Sequence, residues 1–323
     1  KEHREQPRLL WKTINSILHR KPPKSVPSAG TAGMSIAQSF ASFFADKITK
    51  LHASIPPSTT PLAAQIPPSV PLPLTAFRAV TNDEICRLIQ SAPDKQCELD
   101  PIPTFMLKKC IHLLAPAITN IVSLSLDTGD FPSAFKQSII TPLIKKPSLD
   151  PENLSNYRPI SNLSFLSKLT ERVVKDRLQD HLTHNTLFNQ FQSAYTKFHS
   201  IETVLLSLQD HLIRAMASQQ ITCLCLLDLS AAFDTIDHTI LLARLTDWFG
   251  ISGTVHNWFK SYLTLRTFSV SVSDNKSTST KLDCGVPQGS ICPWSSAFHH
   301  VYYTPQFSFE FNLSLPSSLC RRH

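Results

Sequence analysis

The apolar run from Ile221 to Leu227 ends on a single carboxylate, Asp228. A run of that length and character reads as a buried central strand that delivers one acid to a site at its end. A strand buried on both faces needs a layer on each side, so helices are expected to flank it. The preceding segment fits: Ser200 can cap a helix that turns Ile201, Val204, Leu205, Leu208, Leu212 and Met216 inward and leads directly into the run. A second constraint lies downstream. The chain has only seven glycines, and two of them fall within Gly285-Val286-Pro287-Gln288-Gly289-Ser290. Glycine concentrated there implies close approach of the backbone to something else, or a simple Gly-Pro turn.

With 323 residues and 42% apolar content the chain can build a packed core in one or two domains. A net charge of +7 and a pI near 9.0 suit a polyanionic partner, and serve solubility equally well. Eight cysteines occur without paired CxxC spacing or the histidine spacing of a zinc site, and Cys223 and Cys225 read as core thiols on the expected strand. No signal peptide, transmembrane run or lipidation motif is visible, which favours a reducing intracellular compartment, nucleus or cytoplasm, with no membrane partner. The chain opens at Lys1 and is expected to be a fragment of a longer reading frame.

Ten of the 24 prolines lie between Pro22 and Pro73, which marks an extended linker. Within it, Ile36, Phe40, Phe43, Phe44, Ile48 and Leu51 recur at helical spacing and predict an amphipathic helix that docks on another element. Ordered structure is expected from Thr81, where Thr81 and Glu84 form a capping box. A helical stretch over 104–127 should be kinked or divided by Pro116 and stop near Gly129. A short strand, Ile139 to Ile144, carries into Lys145 and Lys146, which suit a phosphate backbone or an ordinary solvated loop. From Leu163 to Leu178 one face is apolar, and Lys168, Arg172, Lys175 and Arg177 lie mostly on the other. That basic face fits template or primer, or plain solvent. Helices near 239–249 and 255–265 and a hairpin with Asn275 near its turn complete the pattern.

Several stretches, in this order, carry a family resemblance: Cys97-Glu98-Leu99-Asp100-Pro101-Ile102-Pro103, Ile140-Thr141-Pro142-Leu143-Ile144-Lys145-Lys146-Pro147, Asn156-Tyr157-Arg158-Pro159-Ile160-Ser161, Leu227-Asp228-Leu229-Ser230-Ala231-Ala232-Phe233-Asp234-Thr235-Ile236-Asp237-His238 and Gly285 to Ser290. From about Phe77 to Ser290 the chain resembles the fingers and first half of the palm of a LINE-type (non-LTR) retrotransposon reverse transcriptase. The resemblance implies an α+β fold: right-hand polymerase fingers and an incomplete palm, preceded by a Pro-rich linker, with the thumb absent. The implied division is residues 1–76 linker with one amphipathic helix, 77–293 fingers and partial palm, and 294–323 an unstructured tail.

The resemblance also implies roles. DNA synthesis uses two Mg2+ ions, held by few carboxylates together with water and phosphate oxygens. Asp228 would be the catalytic acid and a metal ligand, Leu229 would add a backbone carbonyl, and Phe233 would lie beneath the incoming sugar and leave no room for a 2′-hydroxyl. Gln288 and Gly289 would pack against the templating base and nucleotide, and Arg158 and Lys168 would approach template or nucleotide. The partners implied are an RNA template, a DNA primer and deoxynucleotide triphosphates; protein partners stay unspecified. Asp234 and Asp237, beyond the strand, are candidates for extra metal ligands, but lie in a turn or helix start where Asp commonly caps backbone N–H groups. His199 and His238 read as structural or exposed. In Gln192 to Ser200 the family places a basic residue after the aromatic, where this chain has Thr196, which should weaken template contact.

After Ser290 the family continues with Gly-Pro-Leu-Leu-Phe and later Tyr-Ala-Asp-Asp, and neither occurs here. The segments starting at Trp294 and at Leu319 can both be encoded so that the same one-nucleotide shift reads as those two motifs in order. A frameshift between Ser290 and Trp294 is therefore expected. The function expected is a reverse transcriptase domain, truncated and inactive as it stands. The alternatives are a non-enzymatic nucleic-acid-binding remnant, or a poorly folding fragment without selected function.

Overall fold

A computed structural model describes residues 35–54, 70–95, 97–188, 193, 198–224, 226, 233–273 and 275–290. It is a mixed helix-and-sheet structure, as an α+β fold requires. The helices are α1 (Ile36–Ser54), α2 (Asn82–Ser91), α3 (Thr104–Lys109), α4 (Ile111–Thr128), α5 (Phe165–His184), α6 (Ile201–Ala217), α7 (His238–Asp247) and α8 (Gly253–Leu263). The strands are β1 (Gln137–Ile144), β2 (Tyr157–Asn162), β3 (Arg266–Val272), β4 (Asn275–Lys276) and β5 (Thr280–Leu282). They form one sheet in the order β2-β1-β3-β4, with β5 also pairing β3. The β1–β3 pair is parallel and the others are antiparallel, with Val272 opposite Asn275 at the hairpin turn.

Two apolar clusters hold these elements. The larger gathers the inward faces of α2, α4, α5, α7 and α8 around Trp258, whose ring meets Phe77, Phe131 and Phe259 edge-on, stacks on Tyr262 and donates from Nε1 to Ser125 Oγ at 3.1 Å. The smaller seats α1 on the sheet. Phe40 and Phe44 are buried with Ile140, Phe268 and Val270, and Phe40 meets Tyr157 edge-on, so the predicted amphipathic helix has found its partner.

Order begins before Thr81. Leu74 exchanges backbone hydrogen bonds with Gly250 and Ser252, and Thr254 N–H donates to Thr75 O, so the extended chain straps α7 and α8. The capping box forms only in half. Thr81 Oγ1 accepts from Glu84 N–H at 3.2 Å, but the Glu84 carboxylate is taken by the Arg177 guanidinium. Arg177 also donates to Arg78 O and Ala79 O and is buried, so it belongs to the core and not to the outer basic face. An isolated buried guanidinium is costly, and a forked carboxylate with two carbonyls satisfies it.

The stretch over 104–127 divides at Cys110 and not at Pro116, which sits inside α4; Gly129 caps the helix as expected. Helix α4 carries no Asp, Glu, Lys or Arg from Ile111 to Leu126 and is long and apolar enough to cross a membrane by length and composition, which was not anticipated. One of its faces, with Ile111, Ala115, Ile118, Val122 and Leu126, packs into the main core.

The largest departure lies at α6 and the run after it. Ser200 caps α6 as expected, in a reciprocal box with Thr203, yet no residue of the helix is buried. Ile201, Leu205 and Met216 are 76%, 56% and 63% exposed, which reverses the expected inward face. The described part of the run, 221–224 and 226, is in no strand, with Ile221 84% and Leu226 82% exposed. The physical reason is the lack of a facing layer. An apolar stripe is buried only when a second surface covers it, and no described element lies over α6. Leu208 and Leu212 line an open groove of about 570 Å3 with Thr222, Cys223 and Leu224.

Candidate nucleic-acid and nucleotide site

The turn from Gly285 to Ser290 is clamped on two sides. On one side it zips to the segment that follows the apolar run. Gly285 N–H donates to Ile236 O and Val286 N–H to Phe233 O, each at 2.8 Å, and His238 Nε2 donates to Gly285 O at 2.7 Å. Gly285 has φ +77°, and a Cβ there would stand 2.6 Å from Asp234 O, so only glycine allows the approach. On the other side Ser161 N–H of β2 donates to Gln288 O at 3.0 Å. A Cβ on Gly289 would lie 2.2 Å from Ser161 O, in a backbone conformation (φ +152°) that other residues rarely adopt. The two glycines singled out in the sequence are thus the points where three backbone segments meet.

The two aspartates read alike in the sequence separate here. Asp237 is the cap, its Oδ1 accepting from Thr239 N–H at 2.7 Å and Ile240 N–H at 3.0 Å. Among the described residues the Asp234 side chain caps no backbone N–H. Its Oδ1 accepts from Gln288 Nε2 at 2.8 Å. Burial pushes the Asp234 carboxyl above the usual range for aspartate, against the opposing pull of the Gln288 bond and of Lys47. Lys47 comes from α1, which with Phe44 and Ile48 closes the back of the turn around a small cavity of about 40 Å3. Neither Lys47 nor the Asp234–Gln288 bond was legible in the sequence; both depend on contacts across tens to hundreds of residues.

In front of the turn lies a second cavity of about 250 Å3, lined by Gly289, Asn162, Lys168, Arg172, Lys95 and Asp100 among others. Three cations and one carboxylate therefore face a space beside the turn. Asp100 is held by Phe165 N–H at 2.6 Å, at the start of α5, and burial raises its carboxyl above the ordinary value. Arg172 belongs to the basic face read in the sequence as fitting template or primer, whereas Lys95 was not singled out. Runs of mixed charge in sequence do not disclose which cations converge.

Of the expected site residues, Phe233, Gln288 and Gly289 come together, and Lys168 joins them through the cavity lining. Phe233 is partly buried and packs against the main core. Arg158 stands apart, exposed on β2 opposite Leu143 and three residues from Ser161. Asp228, Leu229 and Thr196 lie outside the described residues. Among the described residues no group of three His, Cys, Asp or Glu could hold a metal ion. The Asp234 carboxylate is engaged by the Gln288 amide.

Residues 144–293 match the family model described as reverse transcriptase (RNA-dependent DNA polymerase). Among curated proteins of Drosophila melanogaster, the chain is 28% identical over 288 residues to the "Probable RNA-directed DNA polymerase from transposon BS" and 28% identical over 295 residues to the "RNA-directed DNA polymerase from mobile element jockey". Each alignment covers 87% of this chain and 31% of the relative, so the chain spans about a third of the length of these relatives. The "Probable RNA-directed DNA polymerase from transposon X-element" is 25% identical over 294 residues, with the same coverage.

Proposed function

Because this chain carries the reverse transcriptase domain of a LINE-type (non-LTR) retroelement, we propose that it forms the fingers and first part of the palm, and grips an RNA template and DNA primer in the cleft beside Gly289. The carrying observation is the Gly285–Ser290 turn, locked between the 233–238 segment and β2 and opening onto Lys95, Lys168 and Arg172. Each of those cations is suited to a phosphate, and the turn's two glycines let the 233–238 segment and β2 close on the turn and hold it beside the cleft. Phe233, partly buried against the main core, takes from the family resemblance the role of the ring that would exclude a 2′-hydroxyl from an incoming deoxynucleotide triphosphate. Arg158, exposed on β2, adds an outer contact to phosphate.

The proposal extends to chemistry. Asp228 and the Leu229 carbonyl would hold Mg2+, which would supply activation of the primer hydroxyl and charge neutralisation of the triphosphate. One carboxylate does not hold two such ions, and residues 291–323 contain no Tyr-Ala-Asp-Asp. This 323-residue polypeptide therefore binds nucleic acid without extending a primer. The test is deoxynucleotide incorporation on a primed RNA template with Mg2+, comparing this chain, its Asp228→Ala variant and a longer polypeptide with the reading frame restored after Ser290. Only the last is expected to incorporate. Incorporation by the 323-residue chain that Asp228→Ala abolishes would contradict the inactivity.

A further inference from the structure

Helix α4 has two apolar faces, and the main core uses only one of them. The inner face is anchored there through Ile111, Ala115, Ile118, Val122 and Leu126. The outer face carries Leu113, Ala117, Asn120 and Leu124, all exposed, at spacings of four, three and four residues, with Ile121 alongside. That spacing is the seam of a coiled coil, which mates with another helix. Leu113 is 80% and Leu124 61% exposed, and no described element covers them. Charge is confined to the two ends of the seam. Lys109 is exposed immediately before α4, with its Nζ 5.9 Å from the centre of the Phe105 ring, and Asp127 is exposed in the last turn. Between them, from Ile111 to Leu126, there is no Asp, Glu, Lys or Arg.

We propose that this face is an interface between two copies of the chain, their α4 helices packed antiparallel about a two-fold axis. The distribution of charge selects both the occupant and the direction. Reversing one helix against the other sets Leu113 against Leu124 of the second copy, Ala117 against Asn120 and Lys109 against Asp127, and the two-fold axis makes each contact twice. A parallel pair would bring Lys109 to Lys109 and Asp127 to Asp127. A nucleic acid finds no cation along the seam to meet its phosphates, and a bilayer makes no use of opposite charges at the two ends. One Asn in an otherwise apolar seam fixes register and the number of helices, with some loss of stability. A single helix from each copy makes an interface smaller than the standard of about 1,600 Å2, so the dimer is weak, with a dissociation constant on the order of 10–100 μM. The inference is independent of the nucleic-acid reading of the cleft.

The experiment is sedimentation velocity of the full chain over about 1–300 μM, a range that brackets so weak an association. The wild type should pass from monomer to dimer across it. Leu113→Asp sets a charge against Leu124 twice and should stay monomeric, with an unchanged melting temperature because the position is exposed. Lys109→Glu alone and Asp127→Lys alone each bring like charges together at both ends of the seam, and each should weaken the dimer by about five-fold at low salt. An equimolar mixture of these two variants restores an opposite pair at each end and should associate nearly as tightly as the wild type. A wild type that stays monomeric throughout overturns the proposal, as does a dimer that Leu113→Asp leaves intact. Single charge variants that dimerise like the wild type, or a mixture no tighter than either alone, overturn the antiparallel pairing. Co-sedimentation with uncharged phosphatidylcholine vesicles that Leu113→Asp abolishes, by a wild type that is monomeric at every concentration, makes the occupant a membrane surface and overturns the second copy.

Discussion

Helices α6 and α8 are both amphipathic and both begin at a serine, yet one is bare and the other is at the centre of the molecule. Helix α6 has the fuller local signal, a reciprocal Ser200–Thr203 cap, and buries nothing. Helix α8 has no side-chain cap at Ser252, and buries Val255, Trp258, Phe259, Tyr262 and Leu263. Capping decides where a helix starts, whereas burial needs a second surface. For α8 that surface is α4, α7 and the strap at 74–75; for α6 no described element provides one.

If that contrast is right, the largest loss of stability should come from the α8 side. Trp258→Ala is expected to cost about 3–5 kcal/mol in urea or thermal unfolding. A cost below 1 kcal/mol would break the comparison. Next is the strap. Glu84→Gln leaves the buried Arg177 guanidinium without its carboxylate and should cost about 3 kcal/mol. Arg177 holds the Glu84 carboxyl below its ordinary value of 4.5, so this contribution is present above that value and is lost as pH falls through the lowered one. The difference in melting temperature between wild type and Glu84→Gln should therefore shrink in acid.

A smaller effect belongs to Asp234. Its carboxyl is raised by burial from 3.8, so folding favours the protonated form, and the stability this gives is present below 3.8 and lost as pH rises through the raised value. Melting temperature of wild type relative to Asp234→Asn should fall over that rise; a flat difference would remove the burial argument. Smallest is α6, where Leu205→Ser, at a position 56% exposed, should change stability by less than about 0.5 kcal/mol. A cost of several kcal/mol would show that α6 is covered in solution.

Much of this was legible in the sequence wherever the signal was local. Helices α2, α5, α7 and α8, strand β1, the hairpin at Asn275, the Gly129 stop and the docking of the Phe40–Phe44 helix follow from periodicity and turn residues. In the site, glycine scarcity pointed to Gly285 and Gly289, and the structure shows the clashes that make them glycine. What was illegible required knowing the neighbour. Arg177 looks like surface charge until Glu84 and two carbonyls of the strap meet it, Asp234 looks like a cap until Gln288 arrives, and Ile221 to Leu226 looks like a central strand although its described residues are exposed.

The most direct measurement is the affinity of the 323-residue chain for a labelled primed RNA across a range of salt, set against a Lys168→Glu/Arg172→Glu double variant that reverses two charges of the cleft beside Gly289. Binding that weakens steeply with salt in the wild type, and is more than about ten-fold weaker with a log–log slope shallower by about two units in the double variant, is the predicted result. Equal affinity and equal slope for the two proteins, both folded, would contradict a nucleic-acid site at this cleft.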